Sequence, residues 1–361
     1  MRQVADGYFL CAPCAGGHYS FYNEFYDPDR AKAAYIISGA EGVCTDRILR
    51  AVSDEARKRG LLAEKIYSAR EPSELEALAL PELGVYLLDG DYPRQIRAKY
   101  PLAVEKRINA DDFIRRDRIA LVRDEVRTAV RLFETEQRRG MNYLSAVRSV
   151  YSDSCALLSP CVNKGKLFRY AARFAAREFP VGNGGKTRAK NRFLSAVTAF
   201  GIWTNYETVS ACGRVIAIDD SVGVVAGVLI GALKKEAEER GLPCILCRCQ
   251  SKPEDKAEHL ILPEQGLAFF TANRFHPAPA NLERTIHISR FLDRDRAADC
   301  RFRLNFNKKA IRELTAEAVK AEAAAREIGK VLRSYYAAAV DEEKLENTVK
   351  RLNAEIFRGQ Q

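Results

Sequence analysis

The sequence predicts an α/β protein built from two tandem units, each a parallel sheet flanked by helices. Two observations carry this. The first is a repeat. Tyr8-Phe-Leu-Cys-Ala12 returns as Arg192-Phe-Leu-Ser-Ala196, and Glu55-Ala-Arg-Lys-Arg-Gly-Leu61 returns as Glu236-Ala-Glu-Glu-Arg-Gly-Leu242. Ala79-Leu-Pro-Glu-Leu-Gly-Val85 returns as Ile261-Leu-Pro-Glu-Gln-Gly-Leu267, so three blocks recur in order at offsets of 181 to 184 residues. A period this long means domain duplication, not a solenoid. The second observation is that strand-like apolar runs alternate with helix-like stretches in each copy, as in βαβ units. The length of 361 residues suits two domains.

Each copy reads the same way. An apolar run, Ala34-Tyr-Ile-Ile37 or Val215-Ile-Ala-Ile218, is the first strand and enters a short loop. A helix follows over about 44–60 or 225–241, stopped by Gly60 or Gly241, since glycine is favoured just past a helix end. A second strand lies near 62–67 or 243–248. Pro72 or Pro253 marks a turn, and a Leu-Pro-Glu loop leads to a third strand at 84–88 or 266–270. Helices then close each copy: 114–139, 141–158 and 164–179 after the first, 308–338 and 341–357 after the second, broken near Val340. The expected organisation is a first unit over 1–113, a helical appendage over 114–180, a linker over 181–191, a second unit over 192–304 and a C-terminal helical hairpin over 305–361.

Hydrophobic residues make up 47% and charged residues 29%, which excludes fibrous and disordered classes. No apolar run reaches the ~18–20 residues of a membrane span, and the first residues lack a secretory pattern, so a cytoplasmic protein is expected. Ten cysteines then read as reduced thiols. Cys11/Cys14 and Cys244/Cys247 suggest zinc, but strand alternation puts Cys244 and Cys247 on opposite faces, so buried apolar packing is favoured and no metal is assigned. His18, His259, His276 and His287 are scattered without metal spacing, and no Gly-x-Ser-x-Gly elbow exists, so no catalytic residue is assigned. The net charge is +10, and residues 94–190 hold 22 Lys/Arg against 10 Asp/Glu. Those Arg and Lys are a candidate nucleic-acid surface. The competing reading is a solvated helical face, because many have a carboxylate within a turn.

A loop running from a strand into a helix N-terminus suits a phosphate, because its N–H groups point outward and the helix dipole adds positive charge. The two loops are Gly39-Ala-Glu-Gly-Val-Cys-Thr-Asp46 and Asp220-Ser-Val-Gly-Val-Val-Ala-Gly227. With the Phe-Leu-x-Ala openings, the Leu-Pro-Glu-x-Gly turns and the helical hairpins, nearly the whole chain resembles bacterial proteins with two tandem P-loop ATPase-like domains. The resemblance implies a P-loop NTPase-like fold in each unit, with ATP and Mg as ligands. It places Gly39, Gly42, Cys44, Thr45, Asp46 and Gly223 in the nucleotide loops and Asp89 at the magnesium-holding position. Asp89 also suits an ordinary Asp-Gly-Asp-Tyr-Pro turn.

The departures are severe. Thr45 and Ala226 stand where the phosphate-gripping lysine belongs, Cys44 and Val225 where a glycine precedes it, and Asp46 and Gly227 at the magnesium hydroxyl. Asp46, Asp219 and Asp220 add negative charge where phosphates would lie. The expected protein is therefore a pseudo-ATPase serving as a scaffold or regulator with a protein partner. One alternative is a nucleotide binder or ATPase that recruits a Lys or Arg from elsewhere. Another is a nucleic-acid binder using the basic block. Gly182-Asn-Gly-Gly-Lys-Thr187 mimics the end of a P-loop but follows a helix-like stretch and reads as a linker. Lys186, Arg188 and Lys190 there form an alternative anion cradle.

Overall fold

The repeated blocks fold into repeated structure. The computed structural model describes residues 7–91, 93, 96–182 and 185–358. The first half comprises β1 (Gly7–Tyr8), β2 (Cys11–Cys14), β3 (Gly17–Ser20), α1 (Tyr22–Phe25), β4 (Ala33–Ser38), α2 (Thr45–Lys58), β5 (Glu64–Tyr67), β6 (Leu75–Leu80), β7 (Val85–Asp89), β8 (Glu105–Asn109), α3 (Arg116–Leu121), α4 (Arg123–Leu158) and α5 (Lys164–Glu178). The second half comprises β9 (Lys190–Arg192), β10 (Ser195–Thr198), β11 (Gly201–Thr204), α6 (Tyr206–Ser210), β12 (Arg214–Asp219), α7 (Val224–Glu239), β13 (Ile245–Arg248), β14 (Ala257–Leu262), β15 (Leu267–Ala272), β16 (Leu282–His287), α8 (Arg294–Asp299), α9 (Arg301–Ala337) and α10 (Glu342–Ile356). The strand orders correspond: β1-β5-β6-β7-β4-β8 and β9-β13-β14-β15-β12-β16.

The sheets are mixed, which corrects the expectation of parallel ones. β4 is parallel to β7 and β8, as β12 is to β15 and β16. β6 and β14 run antiparallel to both their neighbours. The sequence predicts a turn and a loop where these two strands stand. Leu75-Glu-Ala-Leu-Ala-Leu80 is rich in helix formers, but all six residues are buried, and packing between neighbouring strands overrides propensity. The Leu-Pro-Glu turn then dictates direction. Gly84 N–H closes onto the Pro81 carbonyl at 3.1 Å, and a connection this short joins only antiparallel strands.

The two faces of each sheet meet different partners. The inner faces look toward each other and share one core, in which Tyr8, Phe9, Ile66 and Leu88 pack with Phe193, Val215 and Phe270. Phe9 and Phe193 exchange backbone hydrogen bonds of 2.9 Å each way, so the repeated Phe-Leu blocks mark the pseudo-two-fold axis. Arg192 crosses the same junction fully buried and pairs with Glu64 at 3.1 Å. On the outer faces, α2 is joined by α10, and α7 by α5. Thus the last helix of each half covers the sheet of the other half. The helical appendages are exchanged between units, where the sequence places them with their own.

α4 and α9, 36 and 37 residues long, pack antiparallel across both halves. The break expected near 140 does not occur. Gly140 lies inside α4, and a Cβ there would sit 3.0 Å from Glu322 Oε1 and 3.5 Å from Ala321 Cβ of α9, so glycine permits the close helix approach. Glu322 Oε1 is buried without a hydrogen-bond partner, and burial pushes its carboxyl up to about 7 against the opposing charge of Arg70. Folded protein therefore holds this proton more tightly than unfolded chain. Its contribution to stability falls as pH rises from about 4.5 to about 7 and is gone above that. Glu322→Gln is expected to stabilise the protein by about 2–3 kcal/mol at pH 8 and hardly at all at pH 4. Urea denaturation at the two pH values checks it.

Candidate functional site

Both strand-to-helix loops lie at the same edge of their sheets, and both are filled by the protein's own carboxylates. In the first half, Gly39 leaves β4 at φ +100° and donates its N–H to both Asp91 oxygens at 3.0 Å. Ala40 N–H donates to Asp111 Oδ1 at 2.8 Å. Glycine is needed at 39 because a Cβ would lie 2.6 Å from that oxygen. Ala40 and Glu41 follow in the left-handed region at φ 53° and 49°, and Gly42 has φ 72°. Asp89 Oδ1 accepts the Asp91 N–H at 2.9 Å and so shapes the turn that presents Asp91. Asp46 points away from the loop, accepting the Leu75 N–H and pairing with Arg50, both at 2.8 Å. Cys44 is buried, and burial pushes its thiol up to about 11. Thr45 opens α2 with its hydroxyl buried and without a partner.

In the second half, Asp220 is buried and does the same work alone. Its Oδ1 accepts from the N–H groups of Val222 at 3.0 Å and Gly223 at 2.8 Å, and its Oδ2 accepts from Ala226 at 2.9 Å. A carboxylate on the first N–H groups of α7 satisfies orphan donors and complements the helix dipole. Asp219 lies outside this cradle, 3.1 Å from His287. Lys256, just before β14, brings Nζ to 3.1 Å from where a Cβ on Gly223 would stand. It also lies 4.3 Å from the Tyr151 ring centre and 3.5 Å from Glu258.

A cavity opens beside each loop, between the sheet edge and the α4/α9 pair. The pseudo-two-fold relates the two, but their charges are opposite. The first-half cavity, about 530 Å³, is lined by Glu41, Asp46, Glu71, Glu74, Asp91 and Glu134 among others, against Arg70 and Arg333. The second-half cavity, about 480 Å³, has one carboxylate, Glu258, against Lys256, Arg274, Lys308, Lys309 and Arg312. At its floor, Ser195 Oγ lies 2.9 Å from His276 Nε2 and 3.3 Å from Glu258 Oε2. Burial opposes the Glu258 carboxylate, but His276, Lys256 and His259 outweigh it and hold its pKa well below the usual range. Burial opposes the Lys256 ammonium too, and Cys249, Tyr151 and Glu258 more than compensate. Burial lowers His276, which leaves its ring neutral at pH 7, with Nδ1 unpartnered. The dyad does not extend to a triad, because Glu258 faces Nε2, on the same side as the serine.

Among the described residues, Glu258, His259 and His276 form the sole His/Cys/Asp/Glu trio whose ligand atoms all lie within 4.8 Å of one another. Sequence spacing makes these histidines look scattered, and the β14–β15 hairpin brings them together. A metal site does not follow. His259 Nδ1 accepts the Thr271 N–H at 3.1 Å, so its neutral ring carries the proton on Nε2, the nitrogen facing Glu258. That nitrogen has no lone pair for a metal, and burial lowers the ring pKa to about 3. The cysteines form no disulfide. Cys244 packs in the outer core and Cys247 in the inner one, on opposite strand faces.

In the basic block Arg127 pairs with Asp124 at 3.5 Å, Arg139 with Glu136 at 3.1 Å, and Arg148 with Glu254, whereas Arg115, Arg116, Arg118, Arg123, Arg131 and Arg138 have no carboxylate within 4.0 Å among the described residues. In the segment that mimics a P-loop end, Asn183 and Gly184 lie outside the described residues, while the Thr187 hydroxyl donates to the Leu242 carbonyl at 3.0 Å. Among the described residues, no helix is long and apolar enough to cross a membrane. Sequence reasoning missed Ser195, Lys256, Glu258 and His276. One signal was present: Glu258-His259 interrupts an otherwise apolar run, and a polar pair inside a buried strand needs a reason. No family model matches the chain, and neither does any curated protein or solved structure.

Proposed function

We propose that this is a degenerate P-loop ATPase-like protein that does not hydrolyse nucleoside triphosphates and acts as a scaffold or regulator. The observation that carries the reading is the Asp220 carboxylate seated on three N–H groups of the second loop. A phosphate approaching that loop meets donors already in use and a negative charge in its place. Asp91 and Asp111 have the same effect in the first half. Catalysis of phosphoryl transfer depends on preorganised donors, a cation and a metal acting together, so a blocked cradle removes the positioning on which the rest depends. A scaffolding role is supported by Phe302 and Phe306, one turn apart on α9 and 89% and 65% exposed.

Purified protein with millimolar ATP and magnesium is expected to release phosphate no faster than buffer and to melt at an unchanged temperature. Turnover near or above roughly 1 per second that Asp89→Ala abolishes would overturn the proposal.

A further inference from the structure

We infer that the second-half cavity binds an amphipathic organic anion, a molecule with one carboxylate or phosphate head and an apolar body. Its volume, about 480 Å³, is that of a small-molecule site. Leu144, Val147, Val197, Ile202 and Ile311 supply apolar wall for the body. The head is matched by Arg274, Lys308 and Lys309, which line the cavity, are exposed to solvent, and have no carboxylate within 4.0 Å among the described residues. The buried floor adds polarity without net charge, since Lys256 and Glu258 neutralise each other. His276 lines the same floor, 5% exposed, and its Nδ1 lacks any partner within the protein. A polar group at the far end of the ligand would satisfy it.

The related first-half cavity has an excess of carboxylates and repels the same ligand. Two sites of common origin and opposite sign indicate that charge selects the occupant. A nucleotide held by its phosphates at the loop is a different matter, since Asp220 already takes those donors. The inference stands independently of catalytic degeneracy, and neither test decides the other.

The probe is anilinonaphthalenesulfonate, an amphipathic anion that brightens in apolar surroundings. Titration of the full chain is expected to saturate at one site, with affinity falling as salt rises. Decanoate and decyl phosphate are expected to displace it, and the tighter of the two identifies the preferred head. Decyltrimethylammonium is expected not to compete. Lys308→Glu with Lys309→Glu, at exposed positions, should weaken binding about tenfold or more. Arg333→Glu in the first-half cavity should leave binding unchanged. Ile202→Trp, which fills the cavity from a half-buried hairpin, should abolish binding at a retained melting temperature. Absence of saturable binding, equal competition by the cation, or full affinity in both the charge-reversed and the filled variants would overturn the inference.

Discussion

Asp220→Ala is expected to lower the free energy of unfolding by about 3–5 kcal/mol and to open, at the loop itself, a cradle for an inorganic anion that the carboxylate fills in the natural chain. The carboxylate is 1% exposed and accepts three backbone N–H groups at the start of α7. Removing it leaves buried donors unpaired at about 1–3 kcal/mol each, partly recovered by water entering the gap, and it removes a helix cap worth about 1 kcal/mol. The emptied cradle has outward N–H groups, a helix dipole and the nearby Lys256 ammonium, so sulfate or phosphate should fill it. Sulfate stabilises most proteins by exclusion from their surface. The decisive quantity is therefore the difference between variant and parent in melting temperature on replacing chloride with sulfate. A larger gain in the variant is expected. A loss below about 1 kcal/mol, or equal gains, would show that the carboxylate does not occupy an anion site.

Phe193→Ala should cost about 3–5 kcal/mol, and both halves should unfold together when it does. The ring is fully buried, and its neighbours come from the first half: Phe21 at 4.8 Å and Tyr19 at 6.5 Å between ring centres. The second half thus inserts a core residue into the first, and the exchanged α5 and α10 bind the halves again from outside. Two tandem units joined by a linker would melt separately; units that share a core should melt as one. The single tryptophan, Trp203, reports on the second half, and far-ultraviolet dichroism reports on the whole. Coincident transitions displaced to lower denaturant are expected. A Trp203 transition that moves while the dichroism transition stays would contradict the shared core.

The two filled loops show how far local pattern carries. Neither loop, 39–46 or 220–227, contains a lysine, and acidic residues stand in or beside both, which already argues against phosphate binding. The carboxylates that fill the first loop could not be named that way. Asp91 comes from the turn after β7 and Asp111 from the segment after β8. Asp46, the acidic residue inside that loop's own sequence, turns instead toward β6 and Arg50. Which acid reaches a backbone donor depends on strand order, because neighbours in a parallel sheet place their C-terminal ends side by side.

By itself the sequence determined the duplication, the first strand and helix of each unit, their glycine stops, and the absence of lysine from both loops. All of these reside in residue identity and short-range periodicity, which survive without tertiary contacts. Tertiary structure alone decided the direction of β6 and β14, the exchange of α5 and α10 between halves, the arrival of Lys256 at the second loop, and the opposite charge of the two cavities. Each of these is set by residues that meet only after the chain has folded back on itself. Leu75–Leu80 is helix-prone in isolation and becomes a strand because both its faces are buried between neighbours. Lys256 looks like one more surface lysine until the sheet carries it to Gly223 and Tyr151, where burial and neighbouring charge give it a fixed place.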